Sequence, residues 1–154
     1  MKKIFVLGIG VVIILGAVIL AVLIRRNLKL NRLEANVFHV GYIYNIGERA
    51  IMLTNYDEFE NYFSQLGNRE WFSEIFERYQ YDFFESKSLA LVYVETASGS
   101  WQVRNVRAVK NDTEVRIRYR IRETWRMGTA AIEGYLIIVE VPESVSEIRV
   151  RNRN

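Results

Sequence analysis

The sequence predicts an α+β fold: an N-terminal transmembrane helix, then one domain with a mainly antiparallel, sandwich-like or curled sheet and one or two helices. Three observations predict it. Residues 4–24, IFVLGIGVVIILGAVILAVLI, carry no charged or strongly polar side chain. Between Asn55 and Tyr79, large apolar residues recur at spacings of three and four, the period of a helix face. From Ser88 onward the period changes to two, as in strands.

The first element is long enough to span. Twenty-one residues in a helix cover about 31 Å, close to the ~30 Å hydrocarbon thickness. Sixteen of them are Ile, Leu, Val or Phe, and the rest are Gly or Ala. A cleavable secretory signal fits less well. Met1-Lys2-Lys3 is a suitable basic start, but such signals have only about 7–15 apolar residues and end at a small-x-small site; Ala21 follows Ile19 and has no small partner there. The chain has no Cys to acylate, which excludes a lipoprotein. Lys2 and Lys3 flank the span on one side, Arg25 and Arg26 on the other, with Lys29 and Arg32 beyond. The flanking charges lean toward a cytoplasmic C-terminal side, while the short basic tail resembles an export start. The expected organisation is a single-pass membrane protein: transmembrane helix 4–24, juxtamembrane connector 25–36, and an extracytoplasmic α+β domain over 37–154.

Within that domain, Val37 to Asn45 and Glu48 to Thr54 read as two strands around Ile46-Gly47. Asn55 opens a helix, with Glu58 in capping-box position; Phe59, Tyr62, Phe63 and Leu66 form its apolar stripe, and Gly67 sits at its end. A second helix is expected from Arg69 to about Tyr79, burying Phe72, Ile75, Phe76 and Tyr79. Phe83-Phe84 reads as a plug at one end of the sheet. Leu89 to Val94 is nearly continuous apolar sequence, as in a strand buried on both faces. Ser98-Gly99-Ser100 turns the chain into a strand from Trp101 to Lys110, and Asn111-Asp112 turns it into another from Thr113 to Glu123. Gly134 to Val141 and Val145 to Val150 are the last two strands.

The net charge of +3 hides an uneven distribution. Residues 1–33 hold six basic and no acidic side chains; residues 34–99 hold four basic and eleven acidic; residues 100–154 hold eleven basic and seven acidic. The basic excess beside the apolar span suits anionic head groups rather than nucleic acid. The absence of Cys removes disulfides, thiol nucleophiles and thiolate metal sites together.

From about Ala50 the order of features resembles the C-terminal domain of PrcB-like proteins, found in secreted or membrane-anchored bacterial proteins. The stretches that carry the resemblance are Ile51-Met52-Leu53-Thr54-Asn55-Tyr56-Asp57-Glu58-Phe59, Tyr81 to Val92 (YDFFESKSLALV), Ser98-Gly99-Ser100 with Trp101, Thr129-Ala130-Ala131, and Gly134 to Pro142 (GYLIIVEVP). The resemblance covers roughly two-thirds of the chain in fold-forming residues and implies a non-enzymatic module that works with a surface protease or another envelope protein. The entry differs, since an apolar span stands where such proteins carry a lipidated Cys.

No catalytic, cofactor or metal set is expected. His39 is the only histidine, lies between Phe38 and Val40 in a predicted strand, and has no nucleophile-elbow sequence to serve. One His without Cys is too little for zinc. The carboxylates Asp57, Glu58, Glu60, Glu70, Glu74 and Glu77 fall on solvated helix faces, so a glycosidase-like pair is not expected. One pattern stands out. Arg116, Arg118, Arg120 and Arg122 alternate with Val115, Ile117, Tyr119 and Ile121, lining four cations along one strand face. Either acids on neighbouring strands neutralise them, Glu95 and Glu140 being candidates, or the row docks an anionic lipid, wall polymer or acidic partner. The expected function is a membrane-anchored, non-enzymatic binding module for an envelope protein or anionic envelope component, with the lipid bilayer as one partner and nucleic acid not among them. A cell-envelope hydrolase, and a cytoplasm-facing adaptor of reversed topology, are the alternatives.

Overall fold

Two strands carry the longest apolar runs of the α+β domain and sit at its centre. In the computed structural model, which describes residues 17–23, 31–43, 49–67, 69–97, 100–124 and 132–153, these are β4 (Lys87–Thr96) and β7 (Glu133–Pro142). They pair antiparallel, with Ala90 opposite Val139 and Val92 opposite Ile137. β2 (Ala35–His39) and β3 (Ala50–Leu53) flank them, giving the sheet order β2-β7-β4-β3. A second four-stranded sheet has the order β1-β5-β6-β8, from β1 (Arg32–Leu33), β5 (Trp101–Asn111), β6 (Glu114–Glu123) and β8 (Glu147–Asn152).

Both faces of the first sheet are covered, which is why its central strands read as continuous rather than alternating. Leu89, Leu91, Tyr93, Leu136 and Ile138 face the helices. Ala90, Val92, Val94, Ile137 and Val139 face the second sheet and meet Val103, Ala108, Val115 and Ile117. The domain therefore has three layers, helices on one sheet and that sheet on another: an α+β, mostly antiparallel fold with a sandwich in it.

The helical layer follows the apolar stripes closely. The described helical residues 17–23 are taken as α1; α2 is Tyr56–Leu66. Asn55 caps α2, its side chain accepting from the Glu58 backbone N–H at 2.9 Å. The Glu58 carboxylate accepts from the Thr54 backbone N–H at 2.8 Å and from the Thr54 hydroxyl, one residue earlier than a standard capping box. Phe59 and Phe63 are fully buried, and α2 ends at Gly67 (φ +154°), a backbone region open to glycine. The expected second helix is instead a tight turn (Arg69–Phe72) running into α3 (Ser73–Arg78). Its stripe is buried as expected, at Phe72, Ile75, Phe76 and Tyr79. Phe84 is buried and Phe83 half-buried, in a further turn over Tyr81–Glu85.

One expectation is corrected. β2 and β3 do not form a hairpin; they lie at opposite edges of their sheet. The chain leaves β2 by crossing the end of β7, where Val40 N–H donates to Gly134 O at 2.9 Å, and Ile43 N–H then reaches the Tyr93 hydroxyl at 3.0 Å. Gly134 makes this route open: a Cβ there would meet Gly41 O at 2.0 Å. The last strand also departs from chain order. β8 does not pair with β7 but runs parallel to β6, held at its start by Ser146 and Glu147 N–H groups on Thr113 O. A compact unit spans Leu33–Asn154, and β2 opens at Ala35.

No helix among the described residues is long and apolar enough to cross a membrane. Residues 17–23 of the expected 4–24 span are helical, with Val18, Ile19, Leu20, Val22 and Leu23 exposed; the rest of that span lies outside the described residues, as do Lys2, Lys3, Arg25 and Arg26.

Candidate anion-binding face

The alternation in β6 turns Val115 and Ile117 into the core and leaves Arg118, Arg120 and Arg122 exposed, with Arg116 half-buried. The neighbouring strands extend the row into a lattice. On β5, Arg104 stands opposite Arg120 and Arg107 opposite Arg118. On β8, Arg149 is in register with Arg116 and Arg151 with Arg118. Eight arginines thus share the outer face of one sheet, about 6.8 Å apart along a strand and ~4.8 Å between strands.

A bulge makes this possible. Arg104 and Arg107 are three residues apart, a spacing that normally points two side chains to opposite faces of a sheet. The register shifts between them, and Asn105 takes φ +53°, a conformation Asn tolerates better than most residues. Both arginines consequently face out, while Val106 packs against the core. The hairpin turn that sets this register has Asp112 at φ +53°.

The acids expected to neutralise the row do not reach it. Glu95 pairs with Arg49, and Glu140 with Lys87 and Arg78, all outside the arginine sheet. Compensation is confined to the end of the face, where Glu114 pairs with Arg116 and lies 3.7 Å from Arg149. Among the described residues, no carboxylate lies within ion-pair distance of Arg107, Arg118, Arg120, Arg122 or Arg151. Arg104 donates to the Gln102 side-chain amide oxygen Oε1 at 2.6 Å instead. Directly opposed like charges destabilise a sheet, so this face carries a cost that nothing in the fold removes. Beneath it, burial raises the Tyr119 phenol above its usual range.

The other polar cluster lies where the two sheets open. His39 pairs with Glu133, and its ring centroid is 5.1 Å from that of Tyr135. They line a cavity of about 480 Å³ with Val37, Gln102, Val103 and Arg104. The Tyr135 hydroxyl donates to Trp101 O at 3.2 Å, and no Ser or Thr lines the space among the described residues. His39 lies in a strand, as the sequence indicates, and that strand, β2, is an edge of its sheet. Asp57, Glu58, Glu74 and Glu77 are exposed on the helices, and no cluster of metal-ligating side chains occurs among the described residues.

Sequence reasoning found the β6 row and missed Arg104, Arg107, Arg149 and Arg151. The alternation Glu147-Ile148-Arg149-Val150-Arg151 was a usable signal for β8. Nothing in the sequence marks the bulge at Asn105.

No family model, no curated protein and no solved structure matches this chain.

Proposed function

We propose that this protein is a non-enzymatic binding module, anchored in a membrane by residues 4–24, with its α+β domain outside the cytoplasm and the arginine face as the surface that takes an anionic envelope component. The observation that carries the reading is the uncompensated lattice. Like charges held in register weaken a fold, and their retention without partners is explained by a ligand that supplies the missing negative charge. Arginine suits phosphate and carboxylate because its planar fork donates two parallel hydrogen bonds. Among the described residues, the positions of β5, β6 and β8 that share the outer face with these arginines hold no aromatic side chain of the kind that stacks bases, which favours an anionic component other than nucleic acid. The apolar span supports the anchor, and the resemblance to PrcB-like domains supports a non-catalytic role in the envelope.

The test uses the full chain in neutral detergent, with inorganic polyphosphate as the anionic probe. Each surface arginine near an array of negative charge is worth about 1 kcal/mol, so Arg118→Gln with Arg120→Gln should weaken binding about 30-fold. Equal binding by wild type and variant would remove the face from the function. Protease digestion of intact and lysed cells reports the side of the domain: cleavage in intact cells is expected, and protection until lysis would reverse the topology.

A further inference from the structure

We infer that the occupant of the arginine face is the anionic lipid surface of the membrane that holds the chain, and that the domain docks on it face-down. This rests on the proposed function and adds the identity and geometry of the ligand. Three observations single out a lipid surface.

The first is shape. The arginines form a two-dimensional array over three adjacent strands, not a groove: Arg107, Arg118 and Arg151 make one transverse row, and Arg104 with Arg120 make another. A linear polymer engages one line of such an array, whereas a plane of head groups meets all of it.

The second is polarity of the whole domain. The helical layer, on the far side of the central sheet, is acidic. Residues 56–86 hold eight acids and two bases, while 101–123 together with 147–153 hold ten bases and four acids. Asp57, Glu58, Glu74, Glu77, Asp82 and Glu85 are exposed there. An anionic plane attracts one outer face and repels the opposite one, so the same field that binds the domain also orients it. A small or flexible anion gains nothing from the acidic side.

The third is reach. Only residues 25–31 separate the apolar span from β1, and seven residues extend at most about 25 Å. Anchoring therefore keeps the domain beside the bilayer, and the high effective concentration favours a surface contact that would be weak for a free protein.

The chain has no Cys, so single labels can be introduced without background. A fluorophore is attached at Val109→Cys, in register with Arg116 on the outer face, or at Ser64→Cys, exposed on α2. These positions stand about 20 Å apart through the layers, each interlayer spacing being ~10 Å. The full chain is placed in nanodiscs of phosphatidylcholine alone or mixed with phosphatidylglycerol, with an acceptor dye on the head groups. Face-down docking gives energy transfer that rises at position 109 and falls at position 64 when phosphatidylglycerol is added. About 1 M salt, where the screening length is ~3 Å, abolishes that difference, and so does Arg118→Gln with Arg120→Gln. Transfer at position 109 that is the same in both lipids overturns the inference, as does a rise at position 64. If polyphosphate binding survives in that case, the anion-binding function stands and only the lipid occupant falls. If it too is absent, both fall. A chain that fails to enter nanodiscs refutes the anchor itself.

Discussion

A residue kept for binding at the expense of the fold should stabilise the protein when it is removed. Arg118 is the place to look, because it has four arginine neighbours: Arg107 and Arg151 in register on adjoining strands, and Arg116 and Arg120 two positions away on its own. Unit charges about 6 Å apart in water repel by roughly 0.7 kcal/mol before screening. Four such terms give roughly 2–3 kcal/mol at very low salt, and splaying of the long side chains lowers this to about 1 kcal/mol. Arg118→Gln keeps a polar strand residue and removes the charge. Its melting temperature should exceed wild type by about 3–5 °C at ~0.01 M salt. At about 1 M salt the screening length falls to ~3 Å and the gain should vanish. The assay is a thermal melt of the full chain in neutral detergent, followed by near-ultraviolet circular dichroism at both salt concentrations. A lower melting temperature for Arg118→Gln at low salt, or a change independent of salt, would mean that Arg118 supports the fold, and the case for a ligand-binding surface would lose its footing.

Phe59 packs against Phe63, Phe76 and Phe84 with ring centroids 4.9–5.5 Å away and is fully buried; Phe59→Ala should cost about 3–5 kcal/mol by denaturant melt, and Phe83→Ala, at a half-buried site, clearly less. Gly134→Ala should cost about 3 kcal/mol or more, since the new methyl meets the Gly41 carbonyl; wild-type stability would show that the crossing at residues 40–43 can move. Hydrogen bonds, foremost from the Thr54 backbone N–H, hold the Glu58 carboxyl below its usual range. Because the folded value is the lower one, its stabilisation is complete above the unfolded value of 4.5 and is lost as pH falls through the folded one. Glu58→Gln should remove that part of the acid-side dependence, and an unchanged pH profile would show that the bond to Thr54 contributes nothing.

How far the sequence reveals this protein depends on whether a feature is local. Asn55, Glu58 and the Phe59/Phe63 stripe specify α2 because caps and periodicity act within one or two turns. The run in β4 announces a strand covered on both sides, and the structure supplies both covers, for it and for β7. Pairing is not local. Ile46-Gly47 resembles a hairpin turn, yet β2 and β3 separate to opposite edges because Gly134 lets the chain pass over β7. β8 finds β6 rather than β7 through contacts to Thr113, far from it in sequence. The candidate site divides in the same way. The β6 arginines are legible from alternation alone, whereas Arg104 and Arg107 share their face only because of a bulge whose position no composition rule marks.

The central claim is that the outer sheet arginines, acting as a set, meet an array of negative charge. The most direct measurement is the salt dependence of polyphosphate binding by the full chain in neutral detergent. The slope of log association constant against log salt counts the contacts, at roughly −0.7 for each phosphate on a flexible single-stranded polyanion. Arg118→Gln with Arg120→Gln should make the slope shallower by about 1.4, two contacts' worth. Arg49→Gln with Arg78→Gln, whose partners are Glu95 and Glu34 away from this face, should leave it unchanged. Equal slopes for the two double variants would contradict the account.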